Sequence, residues 1–321
     1  ADKKAARTSA SIQPTRNSTR ARKQTKKDGV DLDDFAVVNK VSSGGSSNSQ
    51  SAKPPAPPLP RIRASDVPLP RTLREALRSP YAVFWSAAHA KEIGSIESYG
   101  TFVVVDSPGG GTNVVTGKLV FAVKSDAEGF VAAFKVRLVA RGFSQQYGVD
   151  YTETFSSVVR FKAIRIIYAM CAIRDYSLEL MDVNSAYLNA PLKERVFMAI
   201  PEGCAGAGTG KVWLLKKAIY GLKQSGREWG QHIADFILSI GFTRCRRDPG
   251  VYTRTSRSGK PILLAVYVDD IPGAFDESDR AEWEEIKGQF DRKYSIKFLG
   301  EAHWLLNMRI TRDRSRKRLW I

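Results

Sequence analysis

The chain has 321 residues, 43% hydrophobic and 10% aromatic, with 50 Lys+Arg against 33 Asp+Glu and a net charge of +17. That apolar content excludes wholesale disorder, and no apolar run reaches the ~18–20 residues that a bilayer span needs. Three scattered cysteines (Cys171, Cys204, Cys245) and three histidines (His89, His232, His303) supply no C-x-x-C and argue against a disulfide framework or a zinc cage.

The first 70 residues hold 13 basic and 6 acidic residues, so +7 of the charge lies there and +10 in the rest. The positive balance of both parts points to a polyanionic partner such as a nucleic-acid backbone. The chain begins without Met and without an apolar leader, which reads as a segment of a longer chain. A basic stretch (Arg20–Lys27), a Ser/Gly run (Ser42–Ser51) and a Pro-rich run (Pro54–Pro70) flank one short apolar island at 35–38. Such composition buries too little surface to offset chain entropy, so residues 1–72 are expected to be a disordered basic, Pro-rich linker.

Order is expected from Leu73. Leu73, Ala76, Leu77, Tyr81, Phe84, Trp85 and Ala88 fall at helical spacing, with Pro80 opening a second helix. A strand at Thr101–Val105 follows, then a glycine-rich loop at 108–111 that lacks the Gly-Lys-Ser/Thr ending of a phosphate cradle. Lys118–Lys124 and Phe130–Val139 read as two strands, joined by Asp126-Ala127-Glu128-Gly129 with hairpin turn chemistry. Ala163–Ile173 is apolar enough for a buried helix, and Leu178–Val183 is a strand with a helix start at Asn184. Val212–Leu215 is a short strand. Arg227–Ile240 is a helix that stops at Gly241. Pro261–Val268 is an apolar strand, residues 279–294 an amphipathic helix, and 304–310 a last strand. Helices and strands intermix without strict alternation, which argues for an α+β fold.

The apolar run at 263–268 leads straight into Asp269 and Asp270. Adjacent carboxylates at the end of a buried strand are costly unless a cation holds them. Both can reach one cation only if the chain turns there, and Pro272-Gly273 offers a turn. Hard oxygen ligands select Mg²⁺, with Mn²⁺ as a substitute. Asp182, near the end of the 178–183 strand, is a third carboxylate of the kind that a two-metal phosphoryl-transfer site requires.

The chain resembles the reverse transcriptase of copia-type LTR retrotransposons. The resemblance rests on KVRLVARGFSQ at 135–145, GVDYTETFSSVV at 148–159, MDVNSAYLN at 181–189 and MAIPEG at 198–203. It continues with LKKAIYGLKQSGREW at 215–229, YVDDI at 267–271 and FLGE at 298–301. These stand in the family's order from about residue 73 to 321. The resemblance implies the fingers and palm of a right-hand polymerase, an RNA-directed DNA polymerase that takes an RNA/DNA template–primer and deoxynucleoside triphosphates. It implies that Asp182, Asp269 and Asp270 are the catalytic ligands of two Mg²⁺ ions. Tyr187 corresponds to the aromatic gate that excludes a ribose 2′-hydroxyl. Lys124, Lys135, Arg137 and Arg141 are the basic candidates for the triphosphate or template backbone, and strand alternation places Lys135 and Arg137 on one face. Tyr220 and Gly221 correspond to the floor of the nucleotide pocket. Leu306, Asn307 and Met308 lie in the segment that resembles the primer-holding hairpin.

The sequence departs from the family at Pro272, Gly226, Asn307 and Asn189-Ala190. None of these removes a catalytic group, and together they suggest a diverged copy. No thumb or RNase H segment is recognisable before Ile321, so downstream segments of a Pol polyprotein are expected partners. The retrotransposon lifestyle implies a cytoplasmic virus-like particle, with later nuclear entry. Two other functions compete with the polymerase: a nucleic-acid-binding remnant without catalysis, and an unrelated basic RNA-binding module. Metal-dependent incorporation of deoxynucleotides separates the polymerase from both.

Overall fold

The computed structural model describes residues 58–321, so of the linker expected over residues 1–72 the first 57 residues lie outside the described residues. Packing begins earlier than the expected Leu73. The Ala64 N–H donates to the Gly129 carbonyl, and the Ile62 carbonyl accepts from Val131 N–H, both at 3.0 Å. Val67 is buried in the core. Residues 62–64 therefore line the hairpin beside them, with Arg63 opposite Phe130, and occupy backbone groups that an open strand edge would leave unpaired.

Helix α1 (Leu73–Leu77) opens at Thr72, whose hydroxyl accepts from the Glu75 N–H, and α2 (Ala82–Ser98) follows. Next come β1 (Phe102–Asp106), β2 (Val114–Val115) and the hairpin of β3 (Gly117–Ser125) with β4 (Val131–Ala140). Its turn is the expected Asp126–Gly129. Asp126 Oδ1 accepts the N–H groups of Glu128 and Phe130, and Gly129 takes φ +85°. Helix α3 (Phe161–Arg174), β5 (Ser177–Val183), the short α4 (Ala186–Asn189), β6 (Pro191–Ala199) and β7 (Lys211–Lys217) come next. They are followed by α5 (Ser225–Ser239), β8 (Thr243–Arg244), β9 (Val251–Thr255), β10 (Pro261–Ala265), β11 (Asp270–Phe275), α6 (Arg280–Lys293) and β12 (Ile296–Glu301). The expected strand at 304–310 is instead a hairpin of β13 (Trp304–Leu305) with β14 (Met308–Arg309). Leu306 and Asn307 both take positive φ, the mark of a type I′ turn, and this folds the chain back. A last hairpin pairs β15 (Thr311–Asp313) with β16 (Arg318–Trp320).

Two larger sheets organise these elements into an α+β fold. One runs β1-β7-β6-β2 and the other β12-β5-β11-β10-β9-β8. The four-stranded sheet, the β3–β4 hairpin and α1–α2 share one core. Trp85 of α2 meets Phe121 and Phe134 of the hairpin edge-on, at 5.4 and 4.7 Å. The six-stranded sheet is covered on both faces, so alternate residues serve two cores. Met181, Ile262, Leu264 and Ile271 pack with Trp229 and Ile233 of α5 and Trp283 and Phe290 of α6. Leu178, Leu180, Leu263 and Ala274 pack with Ile164, Ile167 and Tyr168 of α3. Helix α3 is not buried all round, as its sequence suggested: Ile166 and Ile173 are 61% and 67% exposed.

Candidate active site

The apolar strand expected to reach Val268 ends at Ala265, and a two-residue turn, Val268-Asp269, joins it to β11. Tyr267 and Asp270 close that turn by exchanging both backbone hydrogen bonds, at 2.9 and 3.0 Å. Pro272 and Gly273, expected to make the turn, lie inside β11. Tyr267 faces Asp270 and Leu264 faces Gly273, so Ala265 falls opposite Pro272. The β10–β11 ladder lapses there because proline has no N–H to donate. Gly273 answers to packing: a Cβ at that position would lie 2.0 Å from the Trp283 ring. The strain sits at Val268, where φ is 56°, a region that β-branched residues rarely enter.

Strand β11 also pairs with β5, and Asp270 stands directly opposite Asp182. The Val183 N–H donates to the Asp269 carbonyl at 2.9 Å. Position 269 is therefore the hydrogen-bonded partner of 183, and Asp270–Asp182 is the neighbouring non-hydrogen-bonded pair, the kind with closer side chains. Both carboxylates rise from one face of the sheet, and like charges so placed repel. Burial, then the charges of Asp269 and Asp182, push the Asp270 carboxyl up to about 6. Burial and the charge of Asp269 also raise Asp182, opposed by Lys297, Lys124 and Lys135.

Among the described residues, no group of three or more Asp, Glu, His or Cys side chains is drawn together closely enough to hold a metal ion. The donor set is open: the opposed Asp182 and Asp270, with Asp269 on the adjoining turn. These are oxygen-only donors. Lys297, Lys124 and Lys135 partly offset the charge at Asp182, while Asp270 meets only burial and its fellow carboxylates. Such donors suit a hard cation.

The β3–β4 hairpin contributes positive charge. Its register sets Lys124 against Ala133, Ala122 against Lys135 and Val120 against Arg137. Lys124, Lys135 and Arg137 therefore share one face, while Phe121 and Phe134 on the other face meet Trp85. Burial, then Arg137 and Lys124, lower the Lys135 ammonium, and Glu92 and Asp269 act against them. Arg137 lies 4.6 Å over the Tyr220 ring, and Tyr220 meets Tyr187 edge-on at 4.8 Å. The three side chains make a column between the hairpin and the turn. Burial, then the Asp269 charge, raise the Tyr187 hydroxyl, and burial raises that of Tyr220 against Arg137.

Gly221 has φ +89°, and a Cβ there would lie 2.1 Å from the Ala140 carbonyl oxygen, so glycine is required. The Tyr220 carbonyl accepts from the Ala140 N–H at 2.7 Å. Arg141 does not join the column. Its side chain is exposed, and among the described residues it makes no ion pair, hydrogen bond or aromatic contact. Leu306 and Met308 pack against the α3-side core together with Tyr267, on the same sheet face as the aspartate pair, and Asn307 forms the hairpin tip between them.

Sequence reasoning missed three features. Lys297 on β12 faces Asp182 directly across the sheet, but only tertiary pairing reveals it. Buried Gln145 and Gln224 hydrogen-bond each other at 3.0 Å, and Gln224 also donates to the Asp150 carbonyl. They tie the 142–151 loop to the Tyr220–Gly221 turn. Both lie in the quoted motifs, which marked them without showing their work. Trp229 donates to the Val268 carbonyl at 2.7 Å.

Residues 99–320 match the family model described as reverse transcriptase (RNA-dependent DNA polymerase). The chain is 34% identical over 261 residues to the retrovirus-related Pol polyprotein from transposon TNT 1-94 of Nicotiana tabacum, over 81% of the chain and 19% of that polyprotein. It is 31% identical over 244 residues to the Pol polyprotein from transposon RE1 of Arabidopsis thaliana, over 76% of the chain and 16% of that protein. The transposon Ty1-DR4 Gag-Pol polyprotein of Saccharomyces cerevisiae is 28% identical over 193 residues, which is 59% of the chain and 11% of that protein. The chain thus spans about a fifth or less of these polyproteins. With its YVDDI turn and the other quoted motifs inside the matched region, the chain belongs to the reverse transcriptase (RNA-dependent DNA polymerase) family, in its copia-type retrotransposon branch.

Proposed function

We propose that residues 73–321 form the fingers and palm of an RNA-directed DNA polymerase that adds deoxynucleotides to a primer 3′ end. The observation that carries this reading is the opposed Asp182–Asp270 pair beside a strained turn, with a basic hairpin face within electrostatic reach. Asp182, Asp269 and Asp270 would hold two Mg²⁺ ions, or Mn²⁺ in their place. Such ions, when bound, activate the primer 3′-hydroxyl and neutralise charge on the departing pyrophosphate.

The chain's own groups do the positioning. Lys124, Lys135 and Arg137 attract the triphosphate from one face of the hairpin. The Tyr220 ring fixes the Arg137 guanidinium, and Gly221 lets that ring's loop close against β4. Tyr187, packed edge-on against Tyr220, walls the sugar and leaves no room for a 2′-hydroxyl. Leu306, Asn307 and Met308 support the primer end. A template–primer duplex binds through its phosphates, without regard to sequence. Thumb and RNase H segments of the polyprotein complete the grip. Among the described residues, no helix is long and apolar enough to cross a membrane.

Primer extension on poly(rA)/oligo(dT) tests this. Incorporation of dTTP that requires Mg²⁺ and stops on chelation supports the polymerase. Duplex binding with no incorporation under any metal supports the nucleic-acid-binding remnant.

A further inference from the structure

We propose that Trp229 is a positioning residue: its indole N–H holds the strained turn that presents Asp269 beside Asp182 and Asp270. The inference rests on the polymerase reading for its catalytic consequence, though not for its structural one. The turn's backbone is tied by its neighbours at nearly every carbonyl. Val159 N–H donates to the Val266 carbonyl at 3.0 Å, Val183 N–H to that of Asp269, and Tyr267 and Asp270 bond each other. The Val268 carbonyl is left to a side chain, the indole of Trp229 at 2.7 Å. That is the one side-chain hydrogen bond to positions 266–271 among the described residues. Trp229 is only 2% exposed and is braced edge-on by Tyr294 at 5.6 Å, so the donor has little freedom to move away. Its helix is set in turn by Ser156, whose hydroxyl donates to the Gly226 carbonyl at 2.7 Å.

Val268 is where this hydrogen bond matters. A valine at φ 56° relaxes toward negative φ unless its surroundings hold it. Relaxation would rotate the peptide that leads into Asp269 and carry that carboxylate away from the opposed pair. The Trp229 bond opposes that rotation, since it is made only when the Val268 carbonyl points toward α5.

The test is a double-mutant cycle between Trp229→Phe and Val268→Gly, read by hydrogen exchange of the Tyr267 and Asp270 amides in the metal-free chain. Trp229→Phe should speed exchange at these two amides roughly fivefold to tenfold, the effect of one lost hydrogen bond. Glycine holds positive φ without strain, so in the Val268→Gly background the same change should have an effect of less than about threefold. Primer extension should follow, with kcat reduced about tenfold by Trp229→Phe and KM for template–primer unchanged. Unchanged exchange at the two amides, or equal factors in both backgrounds, overturns the proposal. If the parent chain does not polymerise, the exchange cycle still decides the matter, and only the functional reading fails. Should Trp229→Phe not fold, β-(3-benzothienyl)alanine at position 229 keeps the bicyclic shape, lacks the N–H, and gives the same comparison.

Discussion

Removing the charge at position 270 should make the metal-free protein more stable. Burial first, and the charges of Asp269 and Asp182 next, hold the Asp270 carboxyl at about 6 against an ordinary 3.8. At about 1.4 kcal/mol for each pH unit, that rise is a penalty of about 3 kcal/mol on the charged form in the folded state. Asp270 is only half-buried, and solvent screening reduces the penalty to about 1–2 kcal/mol. The folded protein binds this proton more tightly than the unfolded chain. Stability therefore declines as pH rises from about 4 through about 6, and the full penalty applies above that window. Asp270→Asn abolishes the charge and with it the penalty. Urea denaturation in the presence of a chelator should show the variant more stable by about 1–2 kcal/mol at pH 8, with the gain gone below about pH 4. Mg²⁺ should raise the parent and leave the variant nearly unmoved, because a ligand that binds only the folded state stabilises it. A variant that is less stable at pH 8, or a difference independent of pH, refutes the reasoning.

Gly221→Ala should destabilise the chain by about 2–4 kcal/mol, read as a fall in thermal midpoint, because the new Cβ would meet the Ala140 carbonyl oxygen at 2.1 Å while φ stays at +89°. Arg137→Ala, which removes the cation stacked 4.6 Å over Tyr220, should raise KM for dNTP about tenfold or more with a smaller effect on duplex binding, measured by steady-state kinetics. Arg141→Ala, whose side chain stands outside the column, should change KM less than about twofold in the same assay. Tyr187→Val should raise the ribonucleotide share of incorporation by about tenfold or more in a competition between UTP and dTTP.

What could be read in the sequence was whatever local chemistry decides. The helices over 73–98 follow from apolar spacing, and the 126–129 turn from an aspartate placed to accept two N–H groups and a glycine at positive φ. Asp269 and Asp270 stood out because a buried apolar run ending in paired carboxylates is costly without a cation, and Asp182 because it lies near the end of a second strand. That Asp182 faces Asp270 appears only once β5 and β11 pair. Errors arose where tertiary packing overrode local signals. Pro272-Gly273 has turn chemistry, yet the glycine exists to admit Trp283, and the real turn uses Val268, a residue of poor turn propensity. Strand β6 went unread because Pro191, Lys193, Glu194 and Arg195 blur its alternation. The 304–310 segment reads as one strand until Leu306 and Asn307 are seen at positive φ. Lys297 carries no local mark, since its opposition to Asp182 exists only after β12 pairs with β5.

The central claim is that the Asp182–Asp270 pair and the adjoining Asp269 form the metal-holding centre of a polymerase. Primer extension on poly(rA)/oligo(dT) with Mg²⁺, comparing the parent with Asp269→Asn/Asp270→Asn, tests it most directly. The account predicts that extension falls by about 10³-fold or more in the variant, while duplex affinity at fixed salt stays within about threefold. Because neutralising Asp270 should stabilise the fold, unfolding would not explain the loss. Extension at an undiminished rate in the variant, or loss of extension and binding together, would contradict it.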